Sequence, residues 1–275
     1  MAIIKKSNKE LAFLHDLFVA PDWGERFAEL LDEHVERPQK GRVLYLGCGT
    51  GGHAIALHER SGEKVTLVCV DENEESLELA RAKATVVKEP AEFRSGKLDD
   101  LRFEDNEFDA VVGNASLIST RRVQRMISEM ARVVSANGTI AIVLPTFSSF
   151  GEFFSVYWEA LHNCGLIDLE SEVENLITEL PTISEIEQAA EEAGLEDIAS
   201  WCQIEEFDYE SGEAFLNAPL ISDFLMAGWL ESLSDEDEER VSREIARIIN
   251  EERHEGEFAL TVKATLVVGR KGHSH

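Results

Sequence analysis

The sequence predicts an α/β fold with a mostly parallel sheet and helices on both of its faces, and three observations predict it. Between residues 43 and 144, apolar runs that read as strands alternate with stretches of helical spacing. The first run, residues 43–46, breaks into glycines at 47, 49, 51 and 52, and a helical pattern follows over 53–59. Strand, glycine turn and helix start in that order make a ligand site. The glycines admit φ > 0 and carry no Cβ to hold a ligand off the main chain, and the helix start offers unpaired N–H groups. The third observation is a final, partly alternating run over 257–268, far from the others in sequence, which supplies a last strand.

Residues 8–36 place Leu11, Leu14 and Phe18, then Phe27, Leu30 and Leu31, at helical spacing, and Pro21 is expected to break them into two helices. Residues 38–41 turn the chain into the first strand. Gly62 ends the helix after the glycine turn, and residues 65–70 form a second buried strand that runs out at Asp71. A helix over 76–87, a short strand over 91–95 and a turn with a fourth strand over 105–113 follow. Val123, Met126, Ile127, Met130 and Val134 put an apolar stripe on a helix over 121–134. Asn137-Gly138 is expected to end that helix ahead of a fifth strand over 139–144.

Beyond Pro145 the pattern changes. Residues 150–180 look helical, and Phe150, Phe153, Phe154, Tyr157, Trp158 and Leu161 form an aromatic face that is either core or the wall of an apolar pocket. Thr182 and Glu185 spell a capping box for a helix over 184–193 that Gly194 closes. A strand over 200–209 and helices over 213–252, the last capped at Ser234, lead to the final strand.

The 275 residues carry a net charge of −28, unevenly spread. Residues 133–239 hold 25 acidic side chains and no Lys or Arg, whereas residues 240–275 hold seven basic and five acidic ones. Such a surface repels phosphate backbones and anionic lipid, so neither nucleic acid nor a membrane is an expected partner. It keeps the protein soluble, or it steers a cationic substrate or a basic partner. No apolar run approaches the roughly 20 residues that span a bilayer, and MAIIKKSNKE lacks the apolar core of a secretory signal. Cys48, Cys69, Cys164 and Cys202 show no CxxC pairing and read as buried free thiols of a cytoplasmic protein. His58, His254, His273 and His275 have no metal-like spacing with Cys or acids, so no metal is expected.

Gly47-x-Gly49-x-x-Gly52, with Asp71 downstream, also satisfies a dinucleotide fingerprint. The words around it decide. LGCGTG at 46–51, DENEESLELARAKA at 71–84, GKLDDLRFEDNEFDAVVGNASL at 96–117 and ARVVSANGTIAIV at 131–143 occur in one order, and in that order the chain resembles a class I S-adenosylmethionine-dependent methyltransferase. The resemblance covers about residues 41–144. It implies a Rossmann-like, mostly parallel seven-stranded sheet with an antiparallel last strand and helical lid elements. It also implies one domain over 1–275: an N-terminal helical cap (1–40), a cofactor-binding core (41–146), substrate or lid helices with one strand (147–256) and the final strand (257–270).

The resemblance further implies S-adenosyl-L-methionine as cofactor and a small-molecule acceptor. Gly47, Cys48, Gly49 and Gly51 would let the loop backbone approach the methionine and ribose. Asp71 would take both ribose hydroxyls on its two carboxylate oxygens, with Glu72 beside it. Leu98 would offer the adenine an apolar face and a backbone N–H. Lys97 stands where the family often has an adenine-accepting Asp, and a lysine cannot accept; the alternatives are Asp99 as substitute or main chain alone. Asn114 would end the fourth strand facing the methyl, or serve as a turn residue. No catalytic base is evident: His53, His15, Tyr157 and His162 each have a packing, capping or surface alternative. Two other functions stay open, a methyltransferase-like module that binds without turnover and a nicotinamide-dependent oxidoreductase.

Overall fold

The computed structural model describes residues 6–87, 91–252 and 258–272. His254, His273, His275 and the start of the expected last strand at Glu257 lie outside the described residues. The chain divides into two compact units, one of residues 146–181 and 204–263, the other of residues 6–145, 182–203 and 264 onward.

In chain order the elements are helix α1 (Asn8–Leu14), a π-helical stretch (His15–Gly24), α2 (Glu25–His34), β1 (Lys40–Leu46), α3 (Gly52–Glu59), β2 (Lys64–Asp71) and α4 (Glu74–Val87). Next come β3 (Glu92–Ser95), β4 (Phe108–Asn114), α5 (Val123–Val133), β5 (Val134–Pro145), α6 (Gly151–Asn163), α7 (Glu170–Glu179), α8 (Ile183–Glu192) and β6 (Leu195–Tyr209). The last are α9 (Gly212–Asn217), α10 (Met226–Trp229), α11 (Asp235–Glu252) and β7 (Phe258–Lys271).

One seven-stranded sheet runs β3-β2-β1-β4-β5-β7-β6. The first five strands in that order pair in parallel, and β7 pairs with β5 antiparallel. The order reverses direction at β1, between β2 and β4, which opens a crevice at the carboxyl ends of these strands. Leu44 and Leu46 of β1, Val68 of β2, Val111 of β4 and Ile140 and Ile142 of β5 are fully buried. Onto them α5 lays Met126, Ile127 and Met130, the stripe visible in the sequence. α8 opens on the full capping box between Thr182 and Glu185, and Gly194 beyond its end takes φ 84°.

Two expectations need correction. Pro21 does not break the N-terminal helices. It lies inside the π-helical stretch, whose wider turn relieves the ring's clash with the preceding carbonyl, and Val19 and Trp23 on either side are buried. Asn137-Gly138 does not end a helix either. α5 stops at Val133, and β5 begins at once. Between the pairs Phe108–Val134 and Ala110–Thr139, β4 advances two positions and β5 five, so residues 135–138 bulge with Asn137 at φ 64°. The turn chemistry is there, spent inside a strand.

In the other unit, the aromatic face of α6 is core. Phe153, Tyr157 and Leu161 are wholly buried, and Phe153 stacks on Trp229 at 4.2 Å between ring centroids. Trp158 points away, stacked on His162. Of the cysteines only Cys69 is fully buried; Cys48 and Cys164 are partly so and Cys202 is exposed. No helix among the described residues is long and apolar enough to cross a membrane.

Candidate functional site

The crevice at the carboxyl end of β1 is a cavity of about 510 Å³. Gly47, Cys48, Gly49, Thr50 and Gly52 form one wall, Tyr45 and Asn114 the floor, and His15 to Asp32 of the N-terminal helices the opposite side. The glycine loop is shaped from β2. The N–H groups of Gly47 and Cys48 both donate to the Val70 carbonyl, at 2.9 and 3.4 Å, and Gly49 N–H donates to Asp71 Oδ2 at 2.7 Å. Gly47, Gly49 and Gly51 all take positive φ, at 67°, 52° and 81°.

Asp71 also accepts Asn73 N–H on Oδ1 at 3.0 Å. Each carboxylate oxygen keeps a second acceptor position, which suits a vicinal diol. Burial raises the pKa of Asp71 above the ordinary carboxylate value, against the backbone N–H groups of Asn73, Gly49 and Glu72 that pull it down.

Glu72, Lys97 and Asp99 line a second hollow with Ser95, Gly96 and Arg122. Arg122 joins its two acids, donating to Glu72 Oε2 at 3.0 Å and to Asp99 Oδ1 at 2.7 Å. This arginine holds both carboxyls below their usual range, and both in turn raise its own pKa. Leu98 is buried, and its N–H, expected for an adenine edge, donates to Glu72 Oε1 at 3.3 Å. Gly51 lines neither hollow; it is buried against Ala80 of α4. Of the ten expected residues, Gly47, Cys48, Gly49 and Asn114 line the cavity and Glu72, Lys97 and Asp99 the second hollow, whereas Gly51, Asp71 and Leu98 line neither.

The N-terminal helices close on the loop through pairs that sequence spacing gave no means of seeing. Asp16 accepts from Thr50 Oγ1 at 2.6 Å and from Lys83 Nζ, and the His15 ring lies over Gly49. Burial raises the pKa of Asp16, but Lys83 and Thr50 outweigh it and leave the group below its usual value. Trp23 Nε1 donates to Ser116 Oγ at 3.1 Å. Asp32, Tyr45 and Arg60, none of them expected at the site, also line the cavity. Only Tyr45 left a trace in the sequence, as a hydroxyl carried inside a buried apolar run. Of the other residues weighed as bases, Tyr157 is core of the other unit and His162 is exposed against Glu170. No group of three or more metal-ligating side chains occurs among the described residues.

His15 and His53 are both held below the usual histidine pKa, by burial first; acids nearby oppose this in each case. The unfolded chain takes up these protons near pH 6.5, and the folded chain only at lower pH. Over that interval the unfolded state binds more protons, so stability falls as pH falls. The urea midpoint is expected to drop from pH 7 toward about pH 5.5, and His15→Gln with His53→Gln to flatten that slope. An equal slope in the double variant would refute the assignment. Asp16, Asp32 and Glu72, with lowered pKa values, add their own loss only in the more acidic carboxylate range.

Residues 43–138 match the family model described as a methyltransferase domain. The chain is 30% identical over 122 residues to a demethylmenaquinone methyltransferase of Bacillus cereus, covering 43% of this chain and 52% of that one. It is 29% identical over 126 residues to a glycine/sarcosine/dimethylglycine N-methyltransferase of Actinopolyspora halophila, covering 45% of this chain and 22% of the relative. The match therefore spans about half or less of the length of these relatives. Among solved structures, YcgJ of Bacillus subtilis superposes with a TM-score of 0.60 at 17% identity, over 91% of this chain and all of that one. A geranyl diphosphate C-methyltransferase of Streptomyces coelicolor A3(2) superposes with 0.52 at 14% identity, over 90% of this chain and 79% of that one.

Proposed function

Since residues 43–138 carry a methyltransferase domain, we propose that the protein transfers the methyl group of S-adenosyl-L-methionine to a small-molecule acceptor bound in the cavity beside the glycine loop. The observation that carries this is the bond from Gly49 N–H to Asp71, which sets a ribose-competent carboxylate against a loop of positive-φ glycines at the edge of a cavity.

The residues fit the cofactor. Bare loop backbone at Gly47–Gly49 suits the methionine portion, and Asp71 has acceptor positions to spare for the ribose. Leu98 is buried, with its N–H given to Glu72, and any contact with the adenine would be through that backbone edge. Lys97 is exposed and offers no acceptor, so the adenine amino group is left to Asp99 or to main chain. When bound, the cofactor supplies an electrophilic methyl on a positively charged sulfur. The cavity wall carries Asp16, Glu25, Glu29 and Asp32 against Lys83 and Arg60, an acidic excess that suits that charge and a cationic acceptor. The protein's task is then to hold acceptor and methyl in line, which accounts for most of such a rate enhancement.

Calorimetric titration with S-adenosylmethionine, S-adenosylhomocysteine and NAD tests this. Micromolar binding of the two sulfur compounds and none of NAD is expected, followed by turnover in a screen of glycine, sarcosine and a demethylated menaquinone. Failure of both sulfur compounds to bind would sink the proposal. Binding without turnover on any acceptor would leave a binding module.

A further inference from the structure

One connected set of polar side chains lines the cavity floor, and its hydrogen-bond roles follow from elementary chemistry. Tyr45 Oη lies 2.8 Å from His53 Nδ1, and His53 Nε2 lies 3.3 Å from Asp32 Oδ1. Arg60 forks onto the same carboxylate at 2.6 and 3.0 Å, and its guanidinium with His53 holds Asp32 ionised against burial. An ionised carboxylate only accepts, so His53 Nε2 carries the hydrogen. In the neutral ring Nδ1 is then bare, and the Tyr45 hydroxyl donates to it.

The other side of Tyr45 is fixed by the same logic. Asn114 Oδ1 accepts Ser116 N–H at 3.0 Å, which leaves its amide nitrogen as the group able to donate toward Tyr45. The chain of donors thus runs from Tyr45 to His53 to Asp32, all one way. Tyr45 Oη keeps acceptor capacity, and Tyr45, His53, Asn114 and Asp32 all line the cavity.

We infer that Tyr45, His53 and Asp32 form a proton relay that draws the exchangeable hydrogen from the acceptor, so that the protein methylates nucleophiles carrying N–H or O–H. This rests on the methyl-transfer proposal and names the acceptor class it serves. The acceptor's lone pair forms the new bond to the methyl carbon, and the pair of the broken carbon–sulfur bond stays on sulfur. The acceptor's proton passes to Tyr45 Oη as the phenol's own proton passes to His53 Nδ1. The imidazolium forms against Asp32 and gives its proton to water after product leaves.

The properties of the two groups suit these parts. Burial pushes the Tyr45 phenol well up, so it passes a proton and never stands as a phenolate. Burial holds His53 low, so it is neutral and ready to receive, while Asp32 favours the charged form it reaches. Charged and titratable groups face His53 from every side: Asp32 of α2, Arg60 at the end of its own helix α3, and Tyr45 of β1. Glu25, Glu29, His15, Asp16 and Lys83 line the remainder of the cavity. Tyr45 touches the acceptor and is the catalytic residue; Asp32 and Asn114 are positioning residues.

The test begins with nitrogen NMR of histidine-labelled protein without cofactor, the His53 signals being assigned by their loss in His53→Gln. At pH 7 the Nε2–H tautomer with a bare Nδ1 is expected. Tyr45→Phe should move the Nδ1 resonance while keeping the tautomer, and Asp32→Asn should lower the pH at which His53 protonates. An Nδ1–H tautomer, or an Nδ1 resonance indifferent to Tyr45→Phe, overturns the relay. On an acceptor found in the screen, Tyr45→Phe should lower kcat about 10²- to 10⁴-fold with KM and S-adenosylmethionine affinity held, and the acid limb of the kcat profile should shift in Asp32→Asn. An unchanged kcat overturns the relay alone. Failure of wild-type protein to bind S-adenosylmethionine is a separate result, which removes the methyl-transfer proposal and the relay with it.

Discussion

Replacing Asp71 by alanine is expected to weaken S-adenosylmethionine binding by about 100- to 10,000-fold. The two ribose hydroxyls would each lose a bond to a charged acceptor, and such bonds are worth about 1.5–3 kcal/mol apiece. The loop suffers as well, because Gly49 and Asn73 N–H lose the oxygens that now orient them. The pH dependence has a definite sign. Asp71 must be ionised to accept from a diol, and its folded pKa is raised, by burial first. Wild-type affinity should therefore decline on acidification earlier than an exposed aspartate near 3.9 would allow. The same raised pKa means that Asp71 favours the fold most when protonated, and that this contribution is lost as pH rises through its folded value. Its charge at neutral pH is held for binding, not for stability. Calorimetry of Asp71→Ala against pH, beside wild type, checks both statements. Affinity within threefold of wild type in a folded variant would exclude Asp71 from the cofactor site, and Asp71→Asn, which keeps the side chain's shape, guards against a misfolded alanine variant.

What the sequence made legible follows from the range over which each interaction acts. The glycine turn, the end of β2 at Asp71, the α5 stripe and the Thr182–Glu185 capping box are local, since each is decided by residues within a turn or a strand pair of one another. The bulge at Asn137 was half legible. Its positive φ is a property of the Asn-Gly pair, but whether that kink ends a helix or interrupts a strand depends on β4 running alongside. Pro21 was misread for a similar reason, because burial of Val19 and Trp23 keeps the segment helical across it. The cavity's chemistry was the least legible part. Asp32 and His53 are 21 positions apart, Asp32 and Arg60 are 28, and Lys83 reaches back 67 to Asp16. No spacing rule links such pairs; they meet only because α2, α3 and α4 converge on one end of β1. Glu72 and Arg122, 50 apart, are the same case. Charge composition showed an acidic chain and could not show which acids face the cavity.

Within the glycine turn the structure separates residues that the fingerprint counts alike, and it predicts opposite outcomes for two of them. Gly47→Ala is expected to lose roughly 2–5 kcal/mol of stability, from a side chain forced to positive φ and from overpacking. Gly47 sits at φ 67°, and an added Cβ would stand 2.3 Å from the Asn114 carbonyl oxygen, a main-chain atom of the neighbouring strand that cannot swing aside. Parting β1 from β4 at that point would also displace Asn114 from Tyr45, so the loss should reach the cavity as well as the fold. Gly52→Ala is expected to gain about 0.5–1 kcal/mol instead. Gly52 is the first residue of α3 at an ordinary helical φ, and an added Cβ meets no atom within 4 Å. In a dinucleotide fingerprint the third glycine is there to let helix and strand pack closely; here no such contact exists, and that requirement is absent. Urea midpoints of the two variants, measured beside wild type, should move in opposite directions. Equal losses at both positions would mean that α3 packs on the sheet through Gly52 after all, and would return the loop to the dinucleotide class.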